Sequence, residues 1–308
     1  MAFPLAAFAQ ALLAAGGLGG GAPPAQDPLA GLSARDKAAL VVVSGLPAPR
    51  GVGGVIVRAW NKDAPRPADT LVFVDQEGVN VGPFPSSPPV RRPSDYATEG
   101  EARAAGRATG QALRAQGVHV DLAPVLDLAG GPLGSRHYAR PELGLAFARG
   151  LGEGGVAACV KHFPGLGAAA YSTDDRPWVP SRFRPEELAA FRAAVRADVP
   201  CVMTSHAVYE ELGYRRGLAS PEAHRMLRDW GFEGVVVTDS LSIVSSGPWP
   251  VEWARRALRA GGDLVLYTSA EHARRAIRAL TPLAREGALD EAVRRVLELR
   301  RAAGLPPP

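Results

Sequence analysis

Residues able to do chemistry gather at the ends of short apolar runs. Val74-Asp75-Gln76-Glu77 closes one run, Lys161-His162 a second, Ser205-His206 a third and Thr238-Asp239-Ser240 a fourth. Arg136-His137-Tyr138 stands in a loop between two further runs. Asp239, in the apolar context GVVVTDS, suits a carboxylate nucleophile or a stabiliser of developing positive charge. Asp75, Arg136 and Lys161 suit hydrogen bonds to ring hydroxyls and amide oxygens, with His162 and His206 beside them. A carboxylate among hydroxyl-holding groups points to sugar chemistry. Nothing in the chain matches a phosphate-cradling P-loop, a dinucleotide fingerprint after the first strand, or a zinc-protease helix.

These positions matter only if one scaffold brings them together. Eight β-branched runs read as strands, at residues 39–44, 54–58, 71–76, 118–128, 157–163, 201–206, 235–240 and 263–268. Between most of them lie amphipathic helical patterns such as EGEARAAGRATGQALRAQG, RPEELAAFRAAVRAD and SPEAHRMLRDWG. Ser220 suits the cap of the third pattern, and Asp290 the cap of the final helix. Strands alternating with helices make a parallel sheet, and eight strands close a (β/α)8 barrel. The first two crossovers leave little room for helix, so a TIM-like barrel irregular at its start is expected. In such a barrel the C-terminal strand ends form the active-site face, which would gather the polar groups into one pocket.

Composition limits the rest. With 46% hydrophobic and 21% charged residues the chain is globular, which excludes disordered and fibrous classes. The net charge is +4, but acidic and basic residues interleave without the block expected of a nucleic-acid binder. Cys159 and Cys201 cannot build a disulfide framework and read as small core residues; no ligand spacing suggests a metal or other cofactor. Residues 1–28 read as a leader or disordered N-terminus, 29–305 as the barrel and 306–308 as a tail. The leader is too Gly-broken for a membrane span, and its first charge is Asp27. Lacking a basic n-region, it leaves a cytoplasmic location as the expectation, with export the alternative. A monomer is expected.

The segments VDQEG, VDLAPVLDL, VKHFPGLG, VMTSHAVY, RMLRDWGFEGVVVTDSL and RAGGDLVLYT resemble, in that order, the motifs of the glycoside hydrolase family 3 barrel. The resemblance runs from Leu32 to Leu305 and is strongest to single-domain β-N-acetylhexosaminidases that recycle peptidoglycan sugars. It implies a retaining mechanism with Asp239 as nucleophile and sugar binding by Asp75, Arg136, Lys161 and His162. It implies no cofactor.

The chain departs from the family pattern where the proton donor should stand. In this branch the acid/base is a His in an Asp-Ser-His segment, but here the loop reads KHFPGLGAAAYSTDDRPWVP. Leu166 replaces a His, and Asp174-Asp175-Arg176 occupies the catalytic segment. Two arginines of the usual segment after strand three are also gone, leaving Gly78-Val79-Asn80-Val81-Gly82-Pro83. Three readings follow. Asp174 or Asp175 serves as acid if burial raises its pKa, although Arg176 next door should lower it. Alternatively, the chain binds a glycan or muropeptide without efficient turnover. A purely structural barrel is the third reading, and it leaves the shared polar residues unexplained. Were both Asp residues excluded, His137, His206 and Glu77 would be the next donors to consider.

Overall fold

The computed structural model describes residues 27–308; the leader expectation lies almost wholly outside them. Eight parallel strands form the scaffold: β1 Val42–Ser44, β2 Gly54–Ile56, β3 Leu71–Val74, β4 Val120–Asp121, β5 Ala157–Phe163, β6 Cys201–Thr204, β7 Val235–Thr238 and β8 Val265–Leu266. Their lateral order is β7-β6-β5-β4-β3-β2-β1-β8. A parallel bridge between Val237 and Leu264 joins the two ends, so the sheet closes on itself. Every strand lies within a run predicted from sequence.

The helices are α1 Ala34–Leu40, α2 Glu99–Ala115, α3 Pro141–Glu153, α4 Pro185–Arg196, α5 Pro221–Asp229, α6 Pro250–Arg259, α7 Ala270–Arg285 and α8 Asp290–Ala302. No α-helix stands between β1 and β2, and only a short 3-10 turn, Ala59–Asn61, between β2 and β3. The expected irregularity is therefore present, and it leaves the β2 end open to carry polar side chains. Ser220 caps α5 by accepting from the Ala223 N–H. Asp290 instead sits inside the first turn of α8, where its charge still favours the helix N-terminus.

Side chains fill the barrel. Val43, Ile56, Phe73, Leu122, Met203, Val237 and Leu266 pack across it, and α8 adds Val296 and Leu299 to the same cluster. Cys159 and Cys201 also lie there, fully buried as expected. They are bonded to each other, which the sequence reading excluded only as a framework and did not foresee as a pair. In-register pairing of β5 with β6 sets them opposite one another with Cα atoms 4.3 Å apart. Register is a tertiary property, invisible in two isolated runs.

Over the C-terminal face lies a small ribbon. Pro180–Ser181 pairs with Val208–Tyr209, which pairs with Arg215–Arg216. It ties the loop after β5 to the loop after β6.

Helices α2 and α3 approach through glycines. A Cβ at Gly106 would stand 2.2 Å from the Phe147 carbonyl oxygen, and one at Gly150 2.1 Å from that of Arg103. Gly150→Ala should therefore lower stability by about 1–3 kcal/mol through overpacking. Gly152 faces open space, so Gly152→Ala should be neutral or stabilising by up to ~1 kcal/mol. Denaturant midpoints will check this; equal effects from the two changes would refute the close-packed interface.

Candidate active site

The C-terminal strand ends surround a cavity of about 420 Å³. Asp75, Arg136, Lys161, His162, Asp174 and Asp239 all line it. Five of the strand-end and loop positions singled out from sequence thus converge, together with one of the two loop carboxylates.

Lys161 is the centre of the floor. It is 1% exposed, and its Nζ lies 2.6 Å from Asp75 Oδ1 and 2.6 Å from Glu77 Oε1. Arg136 closes the cluster, donating from Nε to Glu77 Oε2 at 2.7 Å and from Nη2 to Oε1 at 2.8 Å. Arg58, at the end of β2, donates to the other oxygen of Asp75. Burial opposes the charges of Lys161, Arg136, Asp75 and Glu77, but the pairing outweighs it. Lys161 and Arg136 are held above their ordinary pKa values, and Asp75 and Glu77 below theirs. Glu77 is thus an ionised acceptor that cannot supply a proton, which removes it as a donor.

Lys161 and His162 are adjacent, yet both line the cavity. In a regular strand they would point to opposite faces. The β5–β6 register shifts between Val160 and Phe163, and this irregularity re-aims the pair. Asp127 fixes the His162 ring: its Oδ2 lies 2.6 Å from Nδ1 and also accepts the His162 backbone N–H. A carboxylate can only accept, so Nδ1 carries the proton and Nε2 is the ring's remaining polar atom.

Asp239 follows β7 and is half-buried in the cavity wall. Its N–H donates to the Thr204 carbonyl and its Oδ1 accepts from the Ser240 N–H at 2.6 Å. The side chain is thereby turned rather than free.

Asp174 and Asp175 part company. Both are exposed, but Asp174 lines the cavity and Asp175 does not. The Asp174 carboxyl is raised above its ordinary pKa by desolvation and then by the negative charge of Asp239. Arg176 does not act as the sequence suggested. Its guanidinium stacks over Tyr171, 4.9 Å from the ring centroid, while its carbonyl accepts from Ser245 Oγ. The neighbour expected to spoil an acid is occupied elsewhere.

His206, expected at the site, is fully buried behind it. Its Nε2 donates to the Ser240 carbonyl at 3.0 Å, and burial, aided by Arg216, lowers its pKa to about 3. A neutral ring away from the cavity supports the β7 loop. His137 does not line the cavity either.

Sequence reasoning missed four functional neighbours. Arg58 closes a predicted strand, the same signal that found the others. Trp60 carried no signal, since a single exposed aromatic looks like surface. Asp127 stood unmarked inside VDLAPVLDL. Glu187, in the first turn of α4, is fully buried; its Oε1 accepts the N–H groups of Leu128 and Gly167. It thereby anchors the loop that carries Asp174.

The model of the glycosyl hydrolase family 3 N-terminal domain matches residues 57–299. The chain belongs to that family. A family 3 β-N-acetylglucosaminidase from Paenibacillus sp. str. FPU-7 superposes with a TM-score of 0.80 at 28% identity, over 89% of this chain and 63% of that one. A β-hexosaminidase of Xanthomonas campestris pv. campestris is 34% identical over 208 residues, 59% of this chain and 62% of its own. A secreted glycosyl hydrolase of Arthroderma benhamiae is 34% identical over 221 residues, 64% of this chain and 62% of its own. The chain therefore spans about three fifths of the length of these family members. Among the described residues no helix is long and apolar enough to cross a membrane.

Glu187 makes a testable demand on pH. Burial, reinforced by Asp127, raises its pKa to about 7, against about 4.3 in an unfolded chain. Between those values the unfolded state has released a proton that the folded state retains, so this group lowers stability as pH rises. Glu187→Gln should flatten stability between pH 5 and 7, removing a loss of up to ~3 kcal/mol. Unfolding in urea at both pH values will test it; identical pH dependence in parent and variant would count against a protonated anchor.

Proposed function

We propose that this family 3 barrel is a retaining glycoside hydrolase acting on β-linked N-acetylglucosamine-type sugars, with Asp239 as nucleophile and Asp174 as acid/base. One observation carries the reading. A strand-end carboxylate held by backbone N–H contact shares a cavity with a second carboxyl whose pKa that same charge helps to raise. A carboxyl raised in pKa beside a strand-end carboxylate suits the division of labour that glycosidic cleavage requires.

In the first step an Asp239 oxygen attacks the anomeric carbon as the bond to the leaving oxygen breaks. Asp174 gives its proton to that oxygen, so the leaving sugar departs as an alcohol. A glycosyl ester on Asp239 remains. In the second step Asp174, now ionised, takes a proton from water as the hydroxyl attacks the anomeric carbon, and the ester bond breaks with net retention. Asp75, Arg136, Lys161 and His162 hold the ring hydroxyls and the amide. Every part of this cycle is carried by side chains, with no cofactor invoked.

The names of the Xanthomonas and Paenibacillus relatives support the N-acetylhexosamine class. The resemblance to enzymes recycling peptidoglycan sugars supports a muropeptide-derived substrate. The disulfide between β5 and β6 and the name of the Arthroderma relative favour export over the cytoplasmic location suggested by the N-terminus, since such bonds form in oxidising compartments.

Asp239→Ala should abolish both turnover and covalent trapping by a 2-fluoro glycoside. A trapped adduct in that variant would refute the assignment of the nucleophile. Asp174→Asn should cut hydrolysis of natural glycosides by about 10²–10⁴-fold and spare activated aryl glycosides. The reason is that a nitrophenolate leaves without a proton and an alkoxide does not. Natural-glycoside hydrolysis unaffected by the change would refute Asp174 as the acid, and a parent that turns over no natural glycoside would move the chain to the glycan-binding reading.

A further inference from the structure

The floor of the cavity accounts for one sugar ring, and the rim carries something else. Trp60 lines the same cavity but is 71% exposed, and it is the only Trp, Tyr or Phe among the described lining residues. The other exposed aromatics among the described residues, Tyr171, Trp178, Tyr214 and Trp249, do not line this cavity.

The indole is mounted on a fixed turn. Trp60 is the middle residue of the 3-10 segment Ala59–Asn61, and Asn61 Oδ1 accepts the Arg58 N–H at 2.7 Å. The Arg58 guanidinium packs 5.4 Å from the indole centroid while donating to Asp75. One residue thus connects the rim aromatic to the carboxylate on the floor. Both arrive at the mouth because the short β2–β3 crossover places no helix over them.

We propose that Trp60, buttressed by Arg58, is a second sugar subsite, stacking the apolar face of the leaving-group sugar at the cavity mouth. This rests on the glycosidase reading above. A pyranose has a hydroxyl-bearing edge and a C–H face. The floor offers charged partners for hydroxyls, and the indole offers a broad apolar surface for the face.

The position agrees with the proposed chemistry. Asp174 would protonate the oxygen between the two rings, so the departing ring must lie beside Asp174 and outward from the floor. Asp174, Arg58 and Trp60 all line this one cavity, and Asp174 and Trp60 are both exposed. The indole is exposed, packs against Arg58 and is no part of the buried core, so its loss should spare folding.

The test compares one ring with two. The full chain carrying Asp239→Asn, which prevents turnover, is titrated calorimetrically with N-acetylglucosamine and with N,N′-diacetylchitobiose. Adding Trp60→Ala should weaken the disaccharide by about fivefold to tenfold and leave the monosaccharide unchanged. Trp60→Phe should recover most of the loss. Unchanged disaccharide affinity, or equal weakening of both sugars, would overturn the subsite. If neither sugar binds the Asp239→Asn chain at all, the hexosamine reading fails first and the subsite falls with it.

Discussion

A lysine that water cannot reach organises this site. Removing an ammonium from water costs several kcal/mol unless partners replace the lost hydration. Lys161 has two, Asp75 and Glu77, each 2.6 Å away. Those carboxylates need positive charge in turn, and Arg136 and Arg58 supply it. The cluster joins the ends of β2, β3 and β5 with the loop after β4. It can exist only where a closed barrel fixes those ends, and the barrel's polar end is acceptable only because every one of these charges has an opposite partner. Side chains held this way are fixed before any ligand arrives, so in the proposed function little ordering is left for binding to accomplish.

The loop after β5 depends on a pair of buried carboxyl groups. Asp127 accepts from Leu166 as well as from His162, and Glu187 accepts from Gly167 and Leu128. The root of the loop is therefore fixed while its tip, with Asp174, reaches the cavity mouth. In the proposed mechanism this is how a segment without histidine presents an ionisable group to the leaving oxygen. Asp174 takes the donor's place, set by the anchors at the root of the loop.

Much of this was legible in the chain. All eight strands, the barrel and the convergence of Asp75, Arg136, Lys161, His162 and Asp239 followed from β-branched runs ending in polar residues. The failures have a common physical source. His206 ends a strand as Lys161 does, but its ring turns into the core, and periodicity does not report which way a strand-end side chain leaves a bulge or turn. The pairing of Cys159 with Cys201 needed the register between two strands. Arg176 was judged by its distance along the chain, whereas its charge is directed onto Tyr171 in space. Glu187 lies in an unremarkable helical turn, and only the backbone N–H groups converging on it reveal its purpose.

The central claim is that a fixed ionic floor presents one sugar ring to Asp239. A crystal structure of the full chain soaked with N-acetylglucosamine tests this most directly. The account predicts a ring in the cavity, its hydroxyls bonded to Asp75, Arg136, Lys161 and His162, with the anomeric carbon facing the Asp239 carboxylate. A ring bound elsewhere, or one in the cavity with its anomeric carbon turned away from Asp239, would contradict it.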